Sequence, residues 1–259
     1  MPDATTASRV SSPEQADVLG ALLHGRGGRR TFVPIDRAFV QQRSRGGGAG
    51  PLASFVSARR KRALDLWLLA HALASTDPWD VALPAWVWAR ALGMPDTASS
   101  RVFISQSWTW LEHQRLIRSE RDGVMRRVYL LDDGGRGSAY THGRETEQLD
   151  YFKLPHHYWL DGWNARLSLA GTAVLLIALS LPKTFILPQE HGARWYGLSR
   201  DTIRRGLAEL IKAELLSVRI THKRAPLSPT GATQQRRYAL REPFRRPTPR
   251  EVPAPNLSA

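Results

Sequence analysis

One sequence pattern occurs twice along the chain, and this duplication strongly limits the folds that the chain can adopt. In each copy a Leu-Pro pair precedes a short helical segment that ends at a glycine. A serine then precedes a longer amphipathic segment, and two strand-like segments follow. We therefore predict two diverged copies of one supersecondary unit. The matched residues, first copy with second, are Leu83 with Leu187, Pro84 with Pro188, Gly93 with Gly197, Ser100 with Ser199, Ile104 with Ile203, Leu111 with Leu210 and Tyr129 with Tyr238.

The apolar spacing in each copy predicts helices followed by a β-hairpin. In the first copy Asp122-Gly123 marks a tight turn between two strands, which is a strong hairpin signal. In the second copy a longer loop separates the strands SVRITHK and QQRRYALR. The predicted helices of the first copy cover 52–75, 83–93 and 101–117, the last with Ser100 as its N-cap. Those of the second copy cover 167–181, a segment ending at 197, and 199–216.

These elements indicate a mainly α protein with small β-hairpins, which belongs to the α+β class. The first domain is predicted over 31–133 and the second over 150–242, with a linker rich in glycine and charge over 134–149. Residues 1–30 are mostly polar, and residues 243–259 alternate proline with arginine. Both ends are therefore predicted to be disordered.

The segment YGLSRDTIRRGLAELIKAELL, residues 196–216, has the clearest functional pattern. Ser199 is a favourable N-cap for a helix. Apolar residues then recur at helical spacing, at Ile203, Leu207, Leu210 and Ile211. The predicted helix has one apolar face, and its first turns carry hydrogen-bond donors away from that face, namely Arg200, Thr202, Arg204 and Arg205.

This pattern resembles the winged helix-turn-helix family, whose recognition helix typically reads Ser-x-x-Thr-aliphatic-Arg before spaced leucines and a strand. The second copy is also similar to uncharacterised winged-helix proteins of high-GC Gram-positive bacteria, through the runs YFKLPHHYWLDGW and WYGLS. The resemblance implies tandem winged-helix domains that place a recognition helix in the major groove of double-stranded DNA. The residues that match the family pattern are Ser199, Thr202, Ile203, Arg204, Leu207 and Leu210.

An excess of positive charge makes an acidic polymer the expected partner. The chain has 37 Lys+Arg against 23 Asp+Glu, a formal net charge of +14. Nucleic acid is the first candidate and an anionic membrane the second. The longest apolar run, 167–181, falls short of the roughly 20 residues that a membrane span needs. With no signal-peptide pattern and no cysteine, we expect a cytoplasmic, nucleoid-associated protein.

The sequence has no pattern of residues that is typical of an enzyme. The pair His156-His157 has no third ligand at metal spacing, and the glycine-rich run RSRGGGAG lacks the Lys-Ser/Thr ending of a phosphate-binding loop. We expect no catalytic activity, no cofactor and no metal.

The residues expected to contact DNA form one group in each copy. In the second copy the 199–216 helix reads base edges, and the basic hairpin contacts the backbone or the minor groove. The first copy has fewer cations on its equivalent helix, where Trp110 is also expected to be exposed. The predicted DNA-binding residues are Ser199, Arg200, Thr202, Arg204, Arg205, Arg219, Lys223, Arg224, Arg236 and Arg237 in the second copy, and Arg101, Ser105, Gln106, Arg121 and Arg126 in the first.

Three functions agree with these features. A sequence-specific transcriptional regulator is the main prediction. A plasmid-type replication initiator is the first alternative, because that class also carries two winged helices in one chain. The second alternative is a protein-interaction module, in which the first copy docks a protein partner or a second copy of the chain.

Overall fold

The computed structural model describes residues 12–25, 30–42, 47–123, 125–141, 150–224 and 232–245 of the chain. These residues form a mixed α+β structure with small antiparallel sheets. The elements ahead of the first helix–hairpin unit are α1 (Pro13–Gly25), β1 (Phe32–Asp36), a 3-10 helix (Arg37–Phe39) and α2 (Leu52–Ser57).

The first copy continues in the order helix, strand, helix, helix, hairpin. Its elements are α3 (Lys61–Leu73), β2 (Asp80–Leu83), α4 (Ala85–Ala91), α5 (Ala98–His113), β3 (Ile117–Asp122) and β4 (Met125–Leu130). Strand β4 pairs with both β2 and β3, so the strand before α4 extends the hairpin into a three-stranded sheet. Trp88 of α4 and Trp108 of α5 are buried and pack edge to face, with ring centroids 5.2 Å apart.

The elements of the second copy are β5 (Tyr151–Pro155), α6 (His157–Leu160), α7 (Trp163–Arg166), α8 (Leu169–Ser180), a 3-10 helix (Gln189–His191), α9 (Gly192–Tyr196), α10 (Arg200–Lys212), β6 (Leu216–Arg224) and β7 (Ala232–Leu240). The second copy follows the order of the first from α8 onward, with an isolated bridge in place of the strand. A single bridge between Phe185 and Tyr238 takes the place of the third strand beside the β6–β7 hairpin. The helices and hairpin of both copies follow the predicted order.

A two-stranded sheet joins the copies. Strand β1 pairs with β5 in antiparallel register, from Phe32 opposite Pro155 to Asp36 opposite Tyr151. The sequence shows a loose match between these two segments, but it does not show that they pair with each other. Because each copy supplies one strand, the copies are held together by backbone hydrogen bonds.

The prediction of one helix over 52–75 is wrong. The chain turns between α2 and α3, where Arg59 adopts a left-handed backbone with φ of +54°. Neither glycine nor proline marks this turn in the sequence. The turn places Phe55 of α2 against Phe39 and Trp67, with ring centroids 5.9 Å and 6.4 Å away, so burial of aromatic surface favours the break.

The prediction of disorder over 1–30 is wrong for part of that range. Residues 13–25 form α1, whose Leu19 and Leu23 lie four positions apart and are buried. The Gln15 side chain donates a hydrogen bond to the Ala91 carbonyl oxygen at 3.0 Å, so α1 covers the end of α4. Residues 1–11 and 26–29 lie outside the described residues.

The predicted linker and tail also begin inside packed structure. The ring of Tyr140 lies 5.4 Å from that of His71, and the buried Phe244 lies 6.3 Å from Trp163. An aromatic residue beyond each predicted domain boundary therefore packs on the core, and the disorder predicted for the tail is wrong at Phe244. The remaining linker and tail residues, 142–149 and 246–259, lie outside the described residues.

A buried ion pair lies where the two copies meet. Lys61 Nζ of α3 donates to both carboxylate oxygens of Asp65 at 2.6 Å and to the Asn164 carbonyl oxygen at 2.8 Å. The Tyr158 hydroxyl of α6 donates to the same carboxylate at 3.0 Å. Burial raises the pKa of Asp65, and Lys61 partly opposes that rise. The charges are therefore satisfied by groups from both copies.

His156, next to β5, is expected to make the protein sensitive to acid. Burial, together with His24, Arg30 and His157, lowers its pKa to about 4. An unfolded histidine titrates near 6.5, so the unfolded chain binds more protons between these values and stability falls as the pH drops through this window. Replacing His156 with Gln should reduce the stability lost between about pH 7 and pH 5 by about 2 kcal/mol.

Urea unfolding at the two pH values measures this effect. Equal losses of stability in the wild type and in His156→Gln would contradict the assignment.

Candidate nucleic-acid interface

The contacts around α10 determine which of its faces is exposed. Gly197, between α9 and α10, has φ of +65°, a conformation that favours glycine. Ser199 caps α10, because its Oγ accepts a hydrogen bond from the Thr202 backbone N–H at 3.1 Å. Gly206 lets α10 approach α8, since a Cβ there would lie 2.5 Å from the Ala170 carbonyl oxygen. The face of α10 opposite α8 is left in solvent.

Three arginines project from this outer face of α10. Arg200, Arg204 and Arg205 are exposed, and the last two have side chains 62% accessible. Asp201 accepts from Arg204 at 2.5 Å and forms an ion pair with Arg205 at 2.8 Å. The hydrogen bond from Arg204 is the main reason that the pKa of Asp201 lies below its ordinary value. Exposed ion pairs of this kind are weak, so both guanidinium groups can exchange Asp201 for another acceptor.

Two predictions about α10 are wrong. Thr202 does not lie on the outer face, because it is buried and its hydroxyl lies 2.9 Å from that of Ser199. It therefore stabilises the helix start instead of presenting a donor to a ligand. Ile211 is predicted to lie on the apolar face but is 39% exposed, since Leu210 fills the inner position.

The β6–β7 hairpin carries a second group of exposed cations. Arg219 of β6 lies opposite Arg237 of β7 in the strand register. Arg236 precedes Arg237 in β7, so its side chain lies on the other face of the sheet. Like charges placed directly opposite destabilise a hairpin, so an anion that binds there would relieve the repulsion. Arg219 and Arg237 line an open groove of about 840 Å³. The predicted residues Lys223 and Arg224 lie in β6, paired with Thr233 and Ala232, and their side chains lie outside the described residues.

The equivalent helix of the first copy, α5, has a nearly neutral outer face. Arg101 is bound to Asp96 at 2.9 Å, while Ser105 and Gln106 are exposed. The prediction that Trp110 is exposed is wrong, because its ring packs on Phe55 with centroids 4.8 Å apart. The N-cap also differs from the prediction: Thr97, not Ser100, caps α5 by accepting from the Ser100 backbone N–H.

Carboxylates balance the cations of the first hairpin. Arg118 pairs with Glu120 at 3.4 Å and lies 4.0 Å above the Tyr129 ring, and Arg127 pairs with Asp80 at 2.5 Å. Arg126 is half-buried, with Glu112 at 3.9 Å, and Arg121 opposite it is exposed. Four of the five residues predicted for this copy line one groove of about 390 Å³ between α5 and the hairpin, namely Arg101, Ser105, Arg121 and Arg126.

One exposed residue on α5 was not predicted as part of the site. Val102 is 55% exposed, and it is one of several apolar side chains that lie at the surface among the described residues. The apolar spacing of α5 does not indicate its role, because Val102 falls outside the inner stripe of Ile104, Trp108 and Leu111.

The described residues contain neither a candidate metal site nor a membrane-spanning helix. Within those ranges no group of three or more His, Cys, Asp or Glu side chains is arranged to hold a metal. No helix in the same ranges has both the length and the hydropathy to cross a membrane. Comparison of the chain with protein-family models, curated proteins and solved structures finds no significant match.

Proposed function

We propose that the chain is a sequence-specific double-stranded DNA-binding protein built from two winged helix-turn-helix units, and that it regulates transcription. In this proposal α10 enters the major groove, and the β6–β7 hairpin contacts the backbone or the adjacent minor groove. The observation that carries the proposal is the outer face of α10, where Arg200, Arg204 and Arg205 are exposed beside a capped helix start. Guanidinium groups in this position can form two hydrogen bonds to guanine N7 and O6.

The order of elements supports the winged-helix interpretation. In each copy a helical pair leads into an antiparallel hairpin, and a strand or a bridge lies beside that hairpin. Fold-level analogy does not by itself specify a function. The step to DNA therefore depends on the exposed arginines and on the net charge of +14.

A plasmid-type replication initiator is the second candidate. The observation that favours it is the pairing of β1 with β5, which holds the two units of one chain together. Two units joined in this way can contact two parts of one DNA site without a dimer. The position of the preferred sites in the source DNA distinguishes this candidate from a regulator.

The hairpin cations give a quantitative test. Each phosphate that a protein neutralises adds about 0.9 to the slope of log affinity against log salt concentration. Replacing Arg219 and Arg237 with Ala should therefore lower that slope by about 2. Fluorescence anisotropy with a labelled duplex, measured over a range of salt concentrations, gives the slope directly.

A matched control removes two cations that lie outside both outer helix faces and both hairpins. Arg59 and Arg62 are exposed, so their joint replacement with Ala removes the same charge and should change the slope little. If the control lowered the slope as much as the Arg219/Arg237 variant, the charge would act without a defined contact and the interface would be wrong.

A further inference from the structure

The outer faces of α5 and α10 can be compared residue by residue. The sequence match of Ser100 with Ser199 places Ser105 opposite Arg204 and Gln106 opposite Arg205. Burial supports this register, because the matched inner residues are buried in both helices, namely Ile104, Trp108 and Leu111 in α5 and Ile203, Leu207 and Leu210 in α10. The two faces therefore present different chemistry at equivalent positions.

The outer face of α5 combines methyl groups with neutral hydrogen-bonding groups. Val102, Ser105, Gln106 and Thr109 are all exposed and recur at helical spacing. The Val102 side chain is 55% exposed, although the exposure of apolar surface to water is unfavourable. Thr109 uses its hydroxyl to donate to the Ser105 carbonyl oxygen at 3.2 Å, which leaves its methyl group as the part available for contact.

These groups match the major-groove edge of an A·T pair. A glutamine amide can form two hydrogen bonds with adenine N6 and N7, and an aliphatic methyl group can contact the C5 methyl of thymine. Guanine offers only acceptors on that edge, so a glutamine amide cannot form its paired donor and acceptor hydrogen bonds there. The arginines of α10 have the opposite preference, because guanidinium donors fit guanine N7 and O6.

The surroundings of this face favour DNA over a protein partner. Arg101 and Arg121 are exposed at the groove between α5 and its hairpin, where they can reach phosphates beside a base-reading helix, since an exposed ion pair such as that of Arg101 with Asp96 is weak. A stable protein interface needs an apolar centre within a buried area of about 1,200–2,000 Å². One valine surrounded by polar side chains is too small to form such a centre.

We propose that the two helices read different base pairs: α5 reads A·T pairs through Val102 and Gln106, and α10 reads guanine through Arg204 and Arg205. One chain then recognises a composite site with an A·T part and a G-containing part. This inference rests on the proposed DNA-binding function, and it adds the base preference of each unit.

Selection from a random duplex library tests the assignment, with the wild type, Gln106→Ala and Arg205→Ala compared at about 0.15 M salt. The wild type should select a site with both parts. Gln106→Ala should lose preference in the A·T part only, and Arg205→Ala in the G-containing part only. Loss of one bidentate contact corresponds to a roughly 5- to 150-fold fall in discrimination at that base pair. Gln114→Ala, beyond the end of the same helix, should select the wild-type site.

Modified bases test the atoms involved. Deoxyuridine lacks the methyl group of thymidine. Replacing thymidine with deoxyuridine in the A·T part should weaken DNA binding by the wild type about fourfold. The same replacement should leave DNA binding by the Val102→Ala variant unchanged. The variants alter exposed side chains, and circular dichroism before and after heating checks that they fold.

The outcomes separate this inference from the function on which it rests. If no sequence were enriched by the wild type, the proposed function itself would fail. If a site were enriched but Gln106→Ala and Val102→Ala selected and bound it as the wild type does, α5 would not read bases and the inference would be overturned, with DNA binding by α10 intact. If Gln106→Ala changed the preference at a guanine position and not in the A·T part, the inference would also be overturned.

Discussion

Replacing Arg204 and Arg205 with Ala is expected to remove most of the preference for a cognate site while nonspecific, salt-sensitive DNA binding remains. Each bidentate arginine–guanine contact contributes about 1–3 kcal/mol of discrimination, so the double variant should lose about 2–6 kcal/mol of specificity. Both side chains are exposed and bind only Asp201 among the described residues, so the substitutions should leave the fold intact. Titration of a cognate duplex and a scrambled duplex gives the specificity ratio.

A matched variant separates base recognition from loss of charge. Arg59 and Arg62 are exposed and lie outside both outer helix faces and both hairpins. Their joint replacement with Ala removes the same charge and should keep the specificity ratio. If the Arg204/Arg205 variant also kept it, α10 would not be the helix that reads bases.

Replacing Lys61 with Met is expected to destabilise the fold by about 3 kcal/mol, because it leaves the buried Asp65 carboxylate without its cation. The expected value lies at the low end for a broken buried pair, since Lys61 is 21% exposed. Burial already raises the pKa of Asp65, so the carboxyl group is more readily protonated in acid. A protonated carboxyl group carries no charge that needs Lys61, so the destabilisation by Lys61→Met should be smaller at low pH. Urea unfolding near neutral pH measures the change.

A second substitution restores the balance of charge. Asp65→Asn in the Lys61→Met background removes the uncompensated carboxylate and keeps a side-chain oxygen that can accept from Tyr158. This double variant should regain most of the lost stability. If Lys61→Met cost less than about 1 kcal/mol, the pair would behave as a surface salt bridge and would not hold the copies together.

The sequence predicts the repeated elements well, because their signals are local. Helical spacing identifies α10 through Ile203, Leu207 and Leu210, and the Asp122-Gly123 turn identifies the first hairpin. The pairing of β1 with β5 could not be predicted in this way, since it depends on partners from different copies. The contact of α1 with α4 is likewise not visible in the sequence, because Gln15 and Ala91 are far apart along the chain.

The candidate site could be predicted in residue type but not in exposure or pairing. The helical pattern correctly predicts that three arginines are exposed, namely Arg200, Arg204 and Arg205. Thr202 is predicted to be exposed as well, but it is buried. The sequence also does not show that Arg127 forms an ion pair with Asp80, because the two residues lie on different strands. Charge counted along the chain therefore overstates the cations available in the first copy.

Under the proposed function, this chain prefers particular sequences in double-stranded DNA. The most direct test is to incubate the full chain with sheared DNA from its source at about 0.15 M salt and to sequence the retained fragments. We expect strong enrichment of a few sites, which would lie upstream of genes for a regulator or as clustered repeats near an origin for an initiator. Retained DNA with the same composition as the input would contradict the claim.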